Sequence, residues 1–157
     1  MIFNYLRKEH CILDLKSDTK EGAIKEIARC LSQFGEEVAD KDIFVADILK
    51  REKLGSTGIG FHLAIPHART KAVKGFVIGV GRSKKGIDFD ALDKEKVNLI
   101  FLMGANPKDL TQYLRMLAQL SRFIMDKSFR KKIMEAGTPE EVIRAFQRSG
   151  DIFNSVK

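Results

Sequence analysis

Apolar side chains recur at three- and four-residue spacing over two early stretches of the chain. Ala23, Ile24, Ile27, Ala28, Leu31 and Phe34 fall on one face of a helix. Asp18, with Glu21 three residues on, reads as its capping box, and Gly35 as its stop. Asp40 caps a second helix through Lys53, with Phe44, Val45, Ile48 and Leu49 turned inward. Arg51 then lies in the last turn, where a cation complements the helix dipole.

Other segments read as strands. Residues 11–15 alternate weakly, 61–65 form a short apolar run ended by Pro66, and 76–80 form another. Gly79 and Gly81 mark a bulge or a close approach in that last strand. Gly86 to Phe89 reads as a turn with a short extended piece. Residues 97–103 are apolar apart from Asn98, the pattern of a central strand buried on both faces. Asn106-Pro107 is a turn signal. A long helix follows over about 109–125, with Leu110, Tyr113, Leu114, Leu117, Ala118, Leu120 and Ile124 on its buried side. A short helix over 128–135 is closed by Gly137. Thr138-Pro139-Glu140-Glu141 opens the last helix, with Thr138 as cap and Pro139 at the first position, docked by Val142, Ile143 and Phe146. This order of elements predicts an α/β domain with a mixed sheet flanked by helices, over residues 1–150, and a loose tail over 151–157.

The stretch Arg51 to Arg69, R-E-K-L-G-S-T-G-I-G-F-H-L-A-I-P-H-A-R, carries the chemistry. Its glycines let other groups approach the main chain. Pro66 has no N–H to give a sheet, so a strand ends or meets an edge there. His67 follows directly. A neutral imidazole is a good nucleophile near physiological pH. Arg51 and Arg69 offer the fixed charge a phosphoryl group needs. On residue types alone two readings stand: an ordinary turn beside a loop histidine, or a histidine that accepts and donates a phosphoryl group. No P-loop pattern is present.

Arg51-Glu52, the run Gly55-Ser56-Thr57-Gly58-Ile59-Gly60, and Ala64-Ile65-Pro66-His67 together resemble the signature of the fructose/mannitol-type enzyme IIA domain of the bacterial sugar phosphotransferase system, including its nitrogen-regulatory branch. The resemblance extends over nearly the whole chain. It implies the enzyme IIA fructose/mannitol-type fold and a phosphotransferase component working through a phosphohistidine on His67, with Arg51 as the active-site arginine. It implies HPr as donor and an enzyme IIB as acceptor, or regulatory protein targets in the nitrogen-related branch, with no cofactor and no direct sugar contact. Ser56 and Thr57, or backbone N–H groups near them, would donate hydrogen bonds to the phosphoryl oxygens. The chain departs from many relatives at two places. Tyr113 precedes Leu114-Arg115-Met116-Leu117-Ala118-Gln119-Leu120, where many relatives have a second active-site histidine. His62 stands where relatives often have a small or polar residue, and is an outside candidate for phosphate binding.

Composition trims the alternatives. The chain has 157 residues, 44% hydrophobic and 31% charged, enough for one well-buried core. No apolar run reaches membrane-spanning length, and residues 1–10 lack the apolar centre of a secretory signal, which points to the cytoplasm. Cys11 and Cys30 match no metal pattern and read as isolated thiols. His10 reads as a surface residue. Asp88, Asp90 and Asp93 lack the spacing of a calcium loop and read as surface acids, so no metal is expected. The net charge of +7 is spread along the chain, densest at Lys127, Arg130, Lys131 and Lys132. No nucleic-acid-binding motif accompanies it, which argues against a nucleic-acid partner.

Overall fold

The structure, a computed structural model, describes residues 1–156. After two short 3-10 turns, Ile2–Tyr5 and Lys8–His10, the order is β1 (Cys11–Ile12), α1 (Lys20–Gln33), α2 (Lys41–Glu52), β2 (Gly58–Gly60), β3 (Leu63–Ala64), β4 (His67–Arg69), β5 (Phe76–Ile87), β6 (Val97–Ala105), α3 (Leu110–Met125), α4 (Lys127–Glu135) and α5 (Pro139–Ser155). The six strands form one mixed sheet in the order β1-β5-β6-β3-β2, with β4 also on β6. The α/β class and the flanked mixed sheet are those the sequence predicts.

β6 is the central strand, as its apolar run predicts. It pairs antiparallel with β5 and, on its other edge, parallel with β3 and then β4. Leu63 faces Leu99 and His67 faces Met103, so the register is unchanged across Pro66. Pro66 gives up its N–H but its carbonyl still accepts from the Met103 amide at 3.0 Å. β3 and β4 are therefore one line of chain interrupted by a proline.

Helices cover both faces. α1 and α2 pack on one, over a core that includes Ile24, Ile27, Phe44, Ile48, Ile100 and Leu102. α3, α4 and α5 pack on the other, around Phe101, Phe123, Phe129 and Phe146. The rings of Phe129 and Phe146 meet edge to face at 5.0 Å, the geometry favoured by their quadrupoles. Gly81 proves to be a close approach: a Cβ there would lie 2.6 Å from Ile27 Cδ1 of α1.

Several expectations are corrected. The cap of α1 is Thr19, whose hydroxyl accepts from the Gly22 amide, and Glu21 pairs with Lys25 one turn on instead. Gly35 follows the C-cap Phe34 as expected, but without a left-handed backbone, and Phe34, expected inward, is exposed. Asp40 and Thr138 cap α2 and α5 as expected. β1 holds two residues, and β5 runs far beyond residue 80 because it pairs with β6 along nearly its whole length. Residues 61–65 are not one strand. Gly60, Phe61 and His62 all have positive φ, so the chain reverses there and β2 pairs antiparallel with β3. The stretch expected as a tail continues α5 to Ser155, and Phe3 packs against Gly150, where a Cβ would come 2.9 Å from its Cδ1. His10 is buried rather than on the surface.

The buried face of α3 is also rotated from the expected one. Tyr113, Met116, Gln119, Leu120, Phe123 and Ile124 are buried, while Leu110, Leu114 and Ala118 are exposed. Gln119 is tolerated inward because its side-chain oxygen accepts from the Ile2 amide at 2.9 Å. A second buried polar group, Arg82, lies on β5. It donates to the carbonyls of Leu13, Ile133, Met134 and Ala136, so its charge meets the negative end of α4.

Candidate active site

The site lies where the edge strand β4 meets the end of α2 and the start of α3. Its scaffold begins at Glu52, the last residue of α2, which is only 6% exposed. A buried carboxylate needs partners. Glu52 accepts from the Lys20 ammonium at 2.7 Å, from the Thr57 amide at 3.2 Å and from the Thr57 hydroxyl. The Thr57 carbonyl then accepts from the Ile65 amide at 3.0 Å. Finally Nδ1 of His67 lies 2.6 Å from the Ile65 carbonyl oxygen. A bonded chain thus runs from α1 through the glycine loop to the imidazole.

The last of these bonds sets the tautomer. A carbonyl oxygen only accepts, so Nδ1 carries the proton and Nε2 keeps the lone pair. Burial holds the pKa of half-buried His67 below the ordinary 6.5. The Ile65 carbonyl pulls it up, the Arg51 guanidinium pushes it down, and Glu52 pulls weakly up. The uncharged, nucleophilic form is therefore favoured.

Arg51 is held beside this histidine by α2. One terminal nitrogen donates to the Gly55 carbonyl at 3.0 Å, which leaves the other donors of its fork for a ligand. Tyr113 projects from the first turns of α3, its ring centroid 6.1 Å from that of His67. Burial raises its phenol pKa, while Arg69 and Arg51 pull it down. His67, Arg51, Arg69 and Tyr113 share an open cleft of about 640 Å³, with Leu110 and Leu114 on its rim.

Three other sequence candidates are placed differently. The Ser56 hydroxyl donates to the Phe89 carbonyl at 2.7 Å and accepts from the Gly58 amide. The Thr57 hydroxyl is buried on Glu52. Both hydroxyls hold the loop's shape and neither lines the cleft. His62 sits exposed on the β2–β3 turn, with Nδ1 2.8 Å from the Lys96 carbonyl, and is likewise outside the cleft. Sequence reasoning missed Glu52 as a buried anchor and Leu110 and Leu114 as rim residues. Among the described residues, no three His, Cys, Asp or Glu side chains are grouped so as to hold a metal ion. Asp88 and Asp93 accept from backbone amides two residues on and shape turns.

Fold and cleft together define an α/β domain that presents one neutral histidine beside arginine at a sheet edge. The chain belongs to the family described as "Phosphoenolpyruvate-dependent sugar phosphotransferase system, EIIA 2", whose model matches residues 4–149. It is 37% identical over 124 residues to the fructose-specific EIIA component of Haloferax volcanii, covering 79% of this chain and 80% of that protein. It is 35% identical over 142 residues to the fructose-specific EIIABC component of Bacillus subtilis, but these span 90% of this chain and only 22% of that protein. The nitrogen regulatory protein IIA-Ntr of Neisseria meningitidis superposes with a TM-score of 0.85 at 30% identity, covering 92% of this chain and 98% of that one. The Escherichia coli mannitol IIA, in a complex with its phosphorylated enzyme IIB, shares the fold with a TM-score of 0.76 at 22% identity, over 90% of this chain and 96% of that one. Among the described residues, no helix is long and apolar enough to cross a membrane.

Proposed function

We propose that the protein is a cytoplasmic phosphoryl carrier whose acceptor is Nε2 of His67. The observation that carries this reading is the 2.6 Å contact between Nδ1 and the Ile65 carbonyl, beside Arg51. The Nε2 lone pair attacks the phosphorus of the phosphohistidine on HPr. The donor's N–P bond breaks, and its electron pair returns to the donor imidazole. The reverse geometry passes the group to a cysteine thiolate of an enzyme IIB. No sugar touches this chain. Catalysis is positioning plus charge stabilisation. Arg51 neutralises phosphoryl oxygens, and the Tyr113 hydroxyl donates a hydrogen bond to them without carrying charge.

The test is a mass measurement after mixing the purified protein with phosphoenolpyruvate, enzyme I and HPr. One phosphate on the wild type, absent from His67→Ala, is the expected result. A His67→Ala variant that still gains the phosphate would sink the assignment.

The likeness to IIA-Ntr supports a second reading, in which phosphorylation of His67 switches protein partners instead of feeding a transporter. Added charge at a cationic site alters which surfaces can dock. Under this reading, phosphorylated and unphosphorylated protein capture different partners. Transfer from His67 to an enzyme IIB and on to sugar favours the first.

A further inference from the structure

Arg51 is pinned, but Arg69 is not. Residues two apart on a strand point to the same side, so Arg69 projects from β4 on the side of His67, roughly 7 Å further along. Pairing with β6 fixes that placement, with His67 opposite Met103 and Arg69 opposite Ala105. Both residues line the same cleft. Among the described residues, the Arg69 guanidinium makes no hydrogen bond and no ion pair. Asp47, also on the cleft, makes no ion pair with it either. An exposed, unpaired arginine is ordinary on a surface. One that shares a cleft and a strand face with a nucleophile is placed to act.

The chemistry calls for a second cation. A phosphoryl group in flight spreads its charge over three equatorial oxygens. One guanidinium fork engages two of them. Arg51 already commits one nitrogen to the Gly55 carbonyl. From these placements we infer that Arg69 is a second phosphoryl-binding arginine, closing on the transferred group together with Arg51. This inference rests on the carrier reading of His67. In the transfer, Nε2 of His67 forms its bond to phosphorus as the donor's bond breaks, and Arg69 donates to an oxygen that neither Arg51 nor Tyr113 occupies. Burial raises the Tyr113 phenol pKa and both Arg69 and Arg51 lower it, so both charges are felt at that hydroxyl.

The experiment follows His67 labelling by intact mass with two donors, phospho-HPr and phosphoramidate. Phosphoramidate is a small donor that docks no protein surface, so it isolates effects on the phosphoryl group itself. Arg69→Ala should slow labelling about ten-fold with both donors, less than the loss typical of a sealed oxyanion site because this cleft is open. Arg69→Lys, which keeps charge but not the fork, should recover part of that rate. Wild-type rates for Arg69→Ala with phosphoramidate, or slowing with phospho-HPr alone, would overturn the inference and make Arg69 a docking residue at most. Those outcomes leave the carrier reading intact provided His67→Ala is unlabelled. Labelling of His67→Ala at the wild-type rate would remove the carrier reading, and this inference with it.

Discussion

Nδ1 of His67 and the carbonyl oxygen of Ile65, two residues back along the same line of chain, lie 2.6 Å apart. The contact spans Pro66, which cannot compete as a donor. The ring is thereby oriented by its own strand, and its protonation follows the groups around it.

Acid sensitivity is the first consequence. Only neutral imidazole attacks phosphorus, and burial holds His67 below the ordinary 6.5. Phosphorylation should therefore persist at pH values where a free histidine is already mostly charged. Arg51 contributes to the lowering, so Arg51→Ala should move the acid limb of the pH–rate profile upward as well as slow the reaction. A limb that stays put or moves down, measured by initial labelling rates across pH 5 to 8, contradicts the assigned electrostatics.

The Glu52 anchor should matter for both stability and rate. Glu52→Ala leaves the Thr57 amide without its acceptor and the Lys20 ammonium with only the Phe89 carbonyl as acceptor. Breaking a buried pair typically costs 3–5 kcal/mol, and a Lys20 side chain still 25% exposed argues for the low end, about 3 kcal/mol. Urea unfolding reads the loss. Because the Thr57 carbonyl holds the Ile65 amide, labelling of the folded variant should also slow.

Leu114 is 53% exposed and Leu110 45%, both on the rim of the cleft. Leu114→Asp should leave stability within about 0.5 kcal/mol, as surface changes usually do. It should nevertheless cut transfer from phospho-HPr by at least roughly ten-fold, the scale of a lost apolar contact in an interface, while phosphoramidate labels it normally. Equal slowing with both donors would mean the residue shapes the site and not the docking face.

Arg82→Met removes a cation that serves four carbonyls at the junction of β1, β5 and α4. Hydrogen bonds to a charged group are worth about 1.5–3 kcal/mol each and are not additive, so a loss of at least about 3 kcal/mol is expected. Thermal unfolding checks it. Labelling of His67 in the folded fraction should be unchanged, because Arg82 lies outside the cleft.

Some of this architecture is legible in the residues and some is not. Asp40 and Thr138 declare their helix starts because a short acceptor beside an apolar stripe has few other uses. The apolar run of β6 declares a buried strand. The reversal at Phe61 and His62, at φ 54° and 60°, is invisible, since Phe does not favour the left-handed backbone and the enrichment of His there is too weak to mark one position. Leu110 and Leu114 read as core because their spacing fits a helix face, and only the packing of α3 shows that Gln119 and Met116 face inward instead. Ser56 and Thr57 lie in the same signature stretch as the key histidine. Their hydroxyls are claimed by partners that spacing does not announce, the Phe89 carbonyl and the Glu52 carboxylate. Arg82 hides in an apolar strand, and its acceptors lie up to 69 residues away.

The proline that interrupts the line of β3 and β4 has one more effect. β4 is three residues long and pairs only with β6, so its outer side is a bare sheet margin. Such margins invite a foreign strand to zip on and build aggregates. Here the proline that cuts the line of chain leaves the margin only three residues long, too short to seed a ladder. A nucleophile can thus sit at an open sheet border, within reach of visiting proteins, without that border becoming adhesive.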